Sequence, residues 1–128
     1  MVPQTAQHYV AVAKKHLIKV REAWADPTDW DDLTTYGLYC LEACVVAASI
    51  ELQLNLNNRT KHWGKGKLAK ELHNHHGFPD IGDLLDELNE GRKANAYGDE
   101  EFEEEDFDAE RIATDIEKYL QHVNSILK

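Results

Sequence analysis

Apolar residues recur three and four apart along most of this chain, the spacing of one face of a helix. Tyr9 or Val10, Ala13, Leu17, Val20 and Trp24 form such a stripe, with lysines, His16 and Arg21 among the remaining positions. It predicts a first helix over about Thr5 to Trp24, stopped by Asp26-Pro27. Asp29 is placed to cap a second helix, with Asp31 and Asp32 in the first turn, where negative charge suits the dipole. That helix runs over about Trp30 to Asn57, and from Leu38 to Leu56 it is apolar on nearly every face. A helix apolar all round is buried on more than one side. One side meets the core; the other meets either more core or a second subunit. Ala43, Ala47 and Ala48 let a neighbouring backbone approach closely, and the pattern leans towards a dimer.

Asn57-Asn58 ends this helix, and Arg59-Thr60-Lys61-His62-Trp63-Gly64-Lys65-Gly66-Lys67 follows as a basic turn. It opens a short helix over Lys67 to about His75, with Leu68, Ala69 and Leu72 inward. Gly77-Phe78-Pro79 is a stop and restart, with Phe78 plugging the core and Asp80 capping the next helix. Ile81, Leu84, Leu85 and Leu88 are the stripe of that helix, which reaches about Tyr97 before Gly98 stops it. Asp99 to Asp108 reads as a solvated acidic loop, with Phe102 and Phe107 as anchors to the body. Asp106 or Asp108 caps a last helix over about Ala109 to Leu127, whose inward row is Ile112, Ile116, Tyr119 or Leu120, Val123 and Leu127. No strand pattern, repeat or linker interrupts the series. The expected fold is all-α: one domain over residues 1–128, an up-and-down bundle of four main helices plus one short helix.

Composition changes this picture little. A chain of 128 residues can build a core without disulfides. Cys40 and Cys44, four apart in an apolar run, read as small core hydrophobes and fit a reducing compartment. The formal charge is −10, but Asp99 to Asp108 carries eight acidic residues and no basic one; without it the chain stands at −2. Overall acidity therefore does not exclude nucleic acid. No basic start followed by an apolar block marks a signal peptide. The longest apolar candidate for a membrane span, Tyr36 to Ile50, is interrupted by Glu42. A soluble, cytoplasmic protein with no membrane contact is expected.

The candidate chemistry begins where the fourth stripe breaks down. Four residues beyond Leu88 stands Arg92, and three beyond that Asn95. A buried arginine is costly unless paired or hydrogen-bonded. Arg92 therefore faces a cleft or subunit interface, answers an internal carboxylate, or snorkels at the helix end. The basic turn offers a second candidate. Its lysines, glycines and free N–H groups at a helix start suit an anion or phosphate, and Trp63 could stack on a base. It lacks the spacing of a P-loop, and no strand precedes it. His73, His75 and His76, with Asp80 or Asp83, suggest a metal, but their helical positions diverge and no HExxH pattern is present. Solvent-facing histidines are expected, with no metal and no cofactor.

The helix order, Leu68-Ala69-Lys70-Glu71-Leu72 on the short helix, and Leu88-Asn89-Glu90-Gly91-Arg92-Lys93-Ala94-Asn95-Ala96-Tyr97-Gly98-Asp99 together resemble the HEPN superfamily, the helical nucleotide-binding domains of prokaryotes and higher eukaryotes. The resemblance covers about Thr5 to Leu127 in helix order and Arg92 to Tyr97 at the level of a motif. It implies a helical bundle that dimerises through its motif helices. Many members are metal-independent endoribonucleases of toxin–antitoxin, phage-defence or RNA-processing systems, with an arginine followed four to six residues later by a histidine. Here Arg92 and Lys93 match, but Tyr97 stands five after Arg92 and no histidine follows until His122. Imidazole suits proton transfer near neutral pH, whereas a tyrosine, with a pKa of about 10, is a poor base. Other members lack the motif and act as binding modules, often beside a nucleotidyltransferase. Three functions follow. The first is a noncatalytic dimeric module binding nucleotide, RNA or a protein partner, such as an antitoxin or nucleotidyltransferase. Its ligand-binding residues would be Arg92, Lys93, Asn95, Tyr97, Lys61, His62, Lys65 and Lys67. The second is an endoribonuclease toxin using Arg92 and Tyr97, with His62 or another histidine brought in by the dimer. The third is a purely structural interaction protein.

Overall fold

A computed structural model describes residues 5–25, 29–54, 62–97 and 109–127, with the side chains of 62–64 and 90–97 outside that description. Five helices are present among the described residues: α1 (Ala6–Trp24), α2 (Trp30–Glu51), α3 (His62–His76), α4 (Gly82–Tyr97) and α5 (Ala109–Ile126). The protein is an all-α helical bundle, as its periodicity predicts. The acidic run Asp99 to Asp108, its two phenylalanines and the caps Asp106 and Asp108 lie outside the described residues, as do the stops Asp26-Pro27, Asn57-Asn58 and Gly98.

The N-terminal half is an antiparallel-type pairing of α1 and α2 built on small side chains. Thr5 caps α1, its hydroxyl accepting from the His8 N–H at 3.1 Å. The buried row of α1 is Ala6, Val10, Ala13, Leu17, Val20 and Ala23. Trp24, predicted to face inward, is instead 39% exposed. The Asp29 N–H returns to the Ala23 carbonyl at 2.7 Å, so the chain folds back tightly on the last turn of α1. A methyl group fits beneath that crossing and the indole stays outside. Asp29 caps α2 as predicted, accepting from the Asp32 N–H at 3.0 Å. The Cys40 thiol donates to the Ala13 carbonyl at 3.3 Å and ties the two helices in the interior.

α2 is the axis of the bundle and packs against α1, α3, α4 and α5. Leu38 and every residue from Cys40 to Ser49 are buried. The all-round apolarity that leans towards a dimer is therefore consumed within one chain. Among the described residues α2 is the helix that by length and composition would qualify as a membrane span, with a mean hydropathy of 1.4 over its most apolar window, yet 78% of that window is buried inside the protein. Its buried hydroxyls bond backward to their own helix: Thr34 donates to the Trp30 carbonyl at 2.8 Å and Ser49 to the Val45 carbonyl at 2.7 Å. Cys40 and Cys44 are free and buried. A hydrogen bond to Cys40, reinforced by burial, pushes the Cys44 thiol well above its ordinary range, so it stays protonated as a core group.

α2 ends at Glu51, six residues before the predicted Asn57. Gln53 adopts φ 59°, and the Gln53 and Leu54 N–H groups return to the carbonyls of Ile50 at 3.1 Å and Ser49 at 2.9 Å. This paired closure is a Schellman turn with glutamine in the left-handed position usually held by glycine. Leu52 and Leu54 still pack on the core, which explains why the apolar pattern outlasts the helix. α3 departs from prediction in the other direction, starting at His62 rather than Lys67 and ending at His76. Lys65 and Lys67 are thus helical rather than loop residues. Burial of Leu68, Ala69 and Leu72 outweighs the helix cost of Gly64 and Gly66, about 1 kcal/mol each.

The C-terminal half closes over α2. Gly77, at φ 73°, ends α3, and the Phe78 N–H returns to the Leu72 carbonyl at 3.2 Å. Phe78 enters the core against Tyr119 and His122, with ring centroids 5.8 and 4.4 Å away. The Asp80 carboxylate accepts from the Gly82 N–H at 3.0 Å and starts α4, whose Leu84 and Leu88 are buried beside Ile81. Gly37 lets α4 and α5 close on α2: a Cβ there would lie 3.0 Å from Ile116 Cδ1 and 3.4 Å from Leu88 Cδ2. α5 buries Ile112, Ala113, Ile116, Tyr119, Leu120 and Val123. Among the described residues the Tyr119 hydroxyl finds no hydrogen-bond partner, and burial pushes its ionisation far up. Arg21–Glu117 and Arg111–Glu87 link α5 to α1 and α4 at the surface, where such pairs contribute at most about 1 kcal/mol.

Two stability predictions follow from these strained or orphaned positions. Gln53→Gly relieves the left-handed penalty and raises stability by about 0.5–1 kcal/mol in urea denaturation; a lower midpoint refutes this account of the α2 stop. Tyr119→Phe removes the orphaned hydroxyl without changing the ring and raises stability by about 1 kcal/mol; a loss of that size would mean the hydroxyl is satisfied in solution.

Candidate ligand cleft

α3 and α4 splay apart above α2 and leave a cleft of about 800 Å³. Its floor is one face of α2, namely Leu38, Glu42 and Val45, spaced four and three apart. One wall is the outer face of α3, with Lys65, Gly66, Lys67, Lys70, His73 and Asn74. The facing wall runs from Asp80 through Gly82, Asp83, Leu85 and Asp86 to Asn89 on α4. The division follows from amphipathicity: both helices turn their leucines to α2, so their polar faces look at each other across the opening. One wall is cationic and the other anionic.

Glu42 is the residue that sequence reasoning undervalued. It is a carboxylate in the middle of the buried run of α2, only 5% exposed. The Lys65 ammonium approaches it to 3.7 Å across the α2–α3 contact. At that distance the two interact by charge rather than through a short hydrogen bond, and the ammonium keeps donors for other acceptors. A buried carboxylate without such company would be strongly unfavourable. The signal was present in the sequence, since Glu42 is the single charge between Leu33 and Ile50, but it registered only as an interruption of a membrane span.

His73 is the second residue missed. Its Nδ1 lies 2.7 Å from the Phe78 carbonyl, and a carbonyl only accepts, so Nδ1 carries the proton. In the neutral ring Nε2 is then the lone-pair nitrogen. The histidine run thus serves the turn at Gly77 through His73, while His75 and His76 are exposed. Among the described residues no group of three or more His, Cys, Asp or Glu side chains is placed to hold a metal ion.

A second, smaller cleft of about 420 Å³ lies between α1 and α2, lined by Tyr9, Val12, His16, Tyr39, Ala43 and Val46. Glu42 and Lys65 line it as well, so their pair is the partition between the two clefts. His16 stacks on Tyr36 with centroids 5.8 Å apart and an interplanar angle of 29°, and lies 5.7 Å from Tyr39. Burial lowers the His16 pKa below its ordinary 6.5, which favours the neutral ring.

Of the site residues expected from the sequence, Lys65 and Lys67 reach the large cleft. Lys61 lies outside the described residues, and so do the side chains of His62, Arg92, Lys93, Asn95 and Tyr97. The α4 backbone is helical through Tyr97, which puts position 92 one turn beyond Asn89 of the cleft wall and one turn beyond Leu88 of the core.

The Glu42–Lys65 pair yields a direct test. A double-mutant cycle over Glu42→Gln and Lys65→Met is expected to give a coupling above about 1 kcal/mol, more than the 0.2–1 typical of an exposed pair such as Arg111–Glu87. A coupling near zero would show that the pair is not held in solution.

No family model matches the chain, and neither does any curated protein or solved structure.

Proposed function

We propose that this protein is a noncatalytic HEPN-like module that dimerises and binds nucleotide, RNA or a protein partner, as in toxin–antitoxin or phage-defence systems. The observation that carries this reading is the α3–α4 cleft, where Lys65, Lys67 and Lys70 share a wall and Asn89 opens the arginine-bearing end of α4. The resemblance to the HEPN superfamily supplies the rest: an all-α bundle, an arginine followed by a lysine on the fourth helix, and tyrosine where active members carry histidine. In this reading Arg92, Lys93, Asn95 and Tyr97, on the helical segment that follows Asn89, bind the ligand, and the module works in the cytoplasm without a cofactor. A guanidinium there holds a phosphate or a carboxylate through paired hydrogen bonds but supplies no base.

A second reading, the metal-independent endoribonuclease, is favoured by one observation. His73 lines the same cleft in the tautomer that leaves Nε2 able to accept a proton. It would replace Tyr97 as the base.

The experiment is a titration of labelled RNA and of nucleotides into purified protein, with oligomeric state measured by sedimentation. For the module, Arg92→Ala weakens binding at least tenfold while the melting temperature holds within about 2 °C, and the parent sediments as a dimer. Unchanged binding in Arg92→Ala, or a monomer at binding concentrations, defeats it. A drop in melting temperature with binding intact points to the purely structural role, in which Arg92 answers a carboxylate within the bundle. RNA cleavage that disappears in both Arg92→Ala and His73→Ala replaces the module with the nuclease.

A further inference from the structure

We propose that the α3–α4 cleft binds a short zwitterionic peptide of two or three residues. The peptide's carboxylate lies on the lysines of α3, its ammonium on the aspartates of α4, and an apolar side chain on the α2 floor. This uses the cleft that carries the proposed function but goes beyond that reading, since it gives no part to Arg92 and needs no likeness to a family.

Three observations carry it. The first is that the walls bear rows of opposite charge. Lys67, Lys70 and Asn74 are spaced three and four apart on α3, and Asp83, Asp86 and Asn89 three and three apart on α4, so each row runs along one helix face. A ligand of one sign meets its like across the opening; a ligand that uses both walls carries both signs. The second is that Lys70, Asp83 and Asp86 stay apart. Among the described residues these three form no ion pair, although all line the same cavity. α2 holds both helices by their leucines, so Lys70 and the two aspartates are kept beyond the roughly 4 Å of an ion pair. Both kinds of charge thus remain open to a ligand. The third is the space between. Leu38 and Val45 of α2 and Leu85 of α4 give it an apolar base, which neither an inorganic ion nor a polyamine would use. A cavity of about 800 Å³ is of the size that encloses an organic ligand. An extended peptide advances about 3.5 Å per residue, so two or three residues separate the terminal charges by about 7–10 Å. A single amino acid, whose two charges sit on one carbon, spans far less. The Asn74 and Asn89 amides, one at the end of each row, both donate and accept, as a peptide group requires.

The test is calorimetric titration of the full chain with the tripeptide alanyl-leucyl-alanine, expected to bind with a Kd of about 10 μM. N-acetylation and C-amidation each remove one terminal charge, and each is expected to weaken binding about tenfold, as is serine in place of the central leucine. Lys67→Gln combined with Lys70→Gln lowers affinity for the free peptide about tenfold, and C-amidation then costs less than about twofold more. Asp83→Asn combined with Asp86→Asn does the same for N-acetylation. This crossing of peptide ends with walls is not reproduced by misfolding, and melting curves within about 2 °C of the parent confirm the fold. Absence of binding up to about 1 mM peptide overturns the proposal. So does an amidated or acetylated peptide that binds like the free one, or an end whose loss is felt equally in parent and wall variants. Leucine alone bound as tightly as the tripeptide overturns the assignment to a peptide. If the tripeptide does not bind but a nucleotide does in an Arg92-dependent manner, this inference fails and the module stands. If the tripeptide binds the parent and Arg92→Ala alike while RNA, nucleotides and protein partners bind neither, the inference stands and the module fails.

Discussion

The burial of α2 on every side is the constraint on which the other four helices depend. Leu38 and the stretch from Cys40 to Ser49 are apolar on nearly every face, so α1, α3, α4 and α5 each cover part of it. Coverage by four partners sets the architecture. Small residues facing one another, Ala13 against Cys40 for example, let α1 lie close along one side. Gly37 removes the one side chain that would hold α4 and α5 away. α3 contributes Leu68, Ala69 and Leu72 to the enclosure, and the chain then turns sharply at Gly77.

That enclosure is incomplete between α3 and α4, and the incompleteness creates the larger cleft. α3 and α4 each spend their apolar face on α2 and meet each other little, so their polar faces border an open space. The floor of that space is where the central helix carries its buried carboxylate. Glu42 and Lys65 meet there at 3.7 Å, between the aromatic cleft on one side and the charged cleft on the other. A charge this deep in an otherwise greasy helix is tolerable because the cation that answers it comes from a different helix. The ion pair is thus both a condition for docking α3 and a chemical feature of the site.

Much of the bundle was legible in the order of residues. The stripes of α1, α4 and α5, apart from Trp24 and Leu127 at their ends, the caps at Asp29 and Asp80, and the role of Phe78 as a core plug follow from short-range rules and recur in the structure. The misplaced boundaries share one cause. Apolar spacing continues past Glu51 because Leu52 and Leu54 pack after the chain has turned, and periodicity does not distinguish a helix from a packed turn. The start of α3 was placed late because two glycines suggested a loop, and tertiary burial of the following leucines overrode them. Of the residues that line the large cleft, Lys65 and Lys67 stand out in the sequence, since clustered cations are conspicuous there.

By itself, the sequence determined the all-α class, the five helices found among the described residues and most of the residues that enter the core, because these depend on spacings of three and four within a single turn. It also supplied the arginine-bearing segment that resembles the HEPN motif. Only the tertiary structure decided that α2 is enclosed within one chain and that its carboxylate meets Lys65. It alone decided that His73 has a defined tautomer and that two clefts share a wall. Those outcomes join residues on separate helices, and no local periodicity encodes which helix faces lie across from one another.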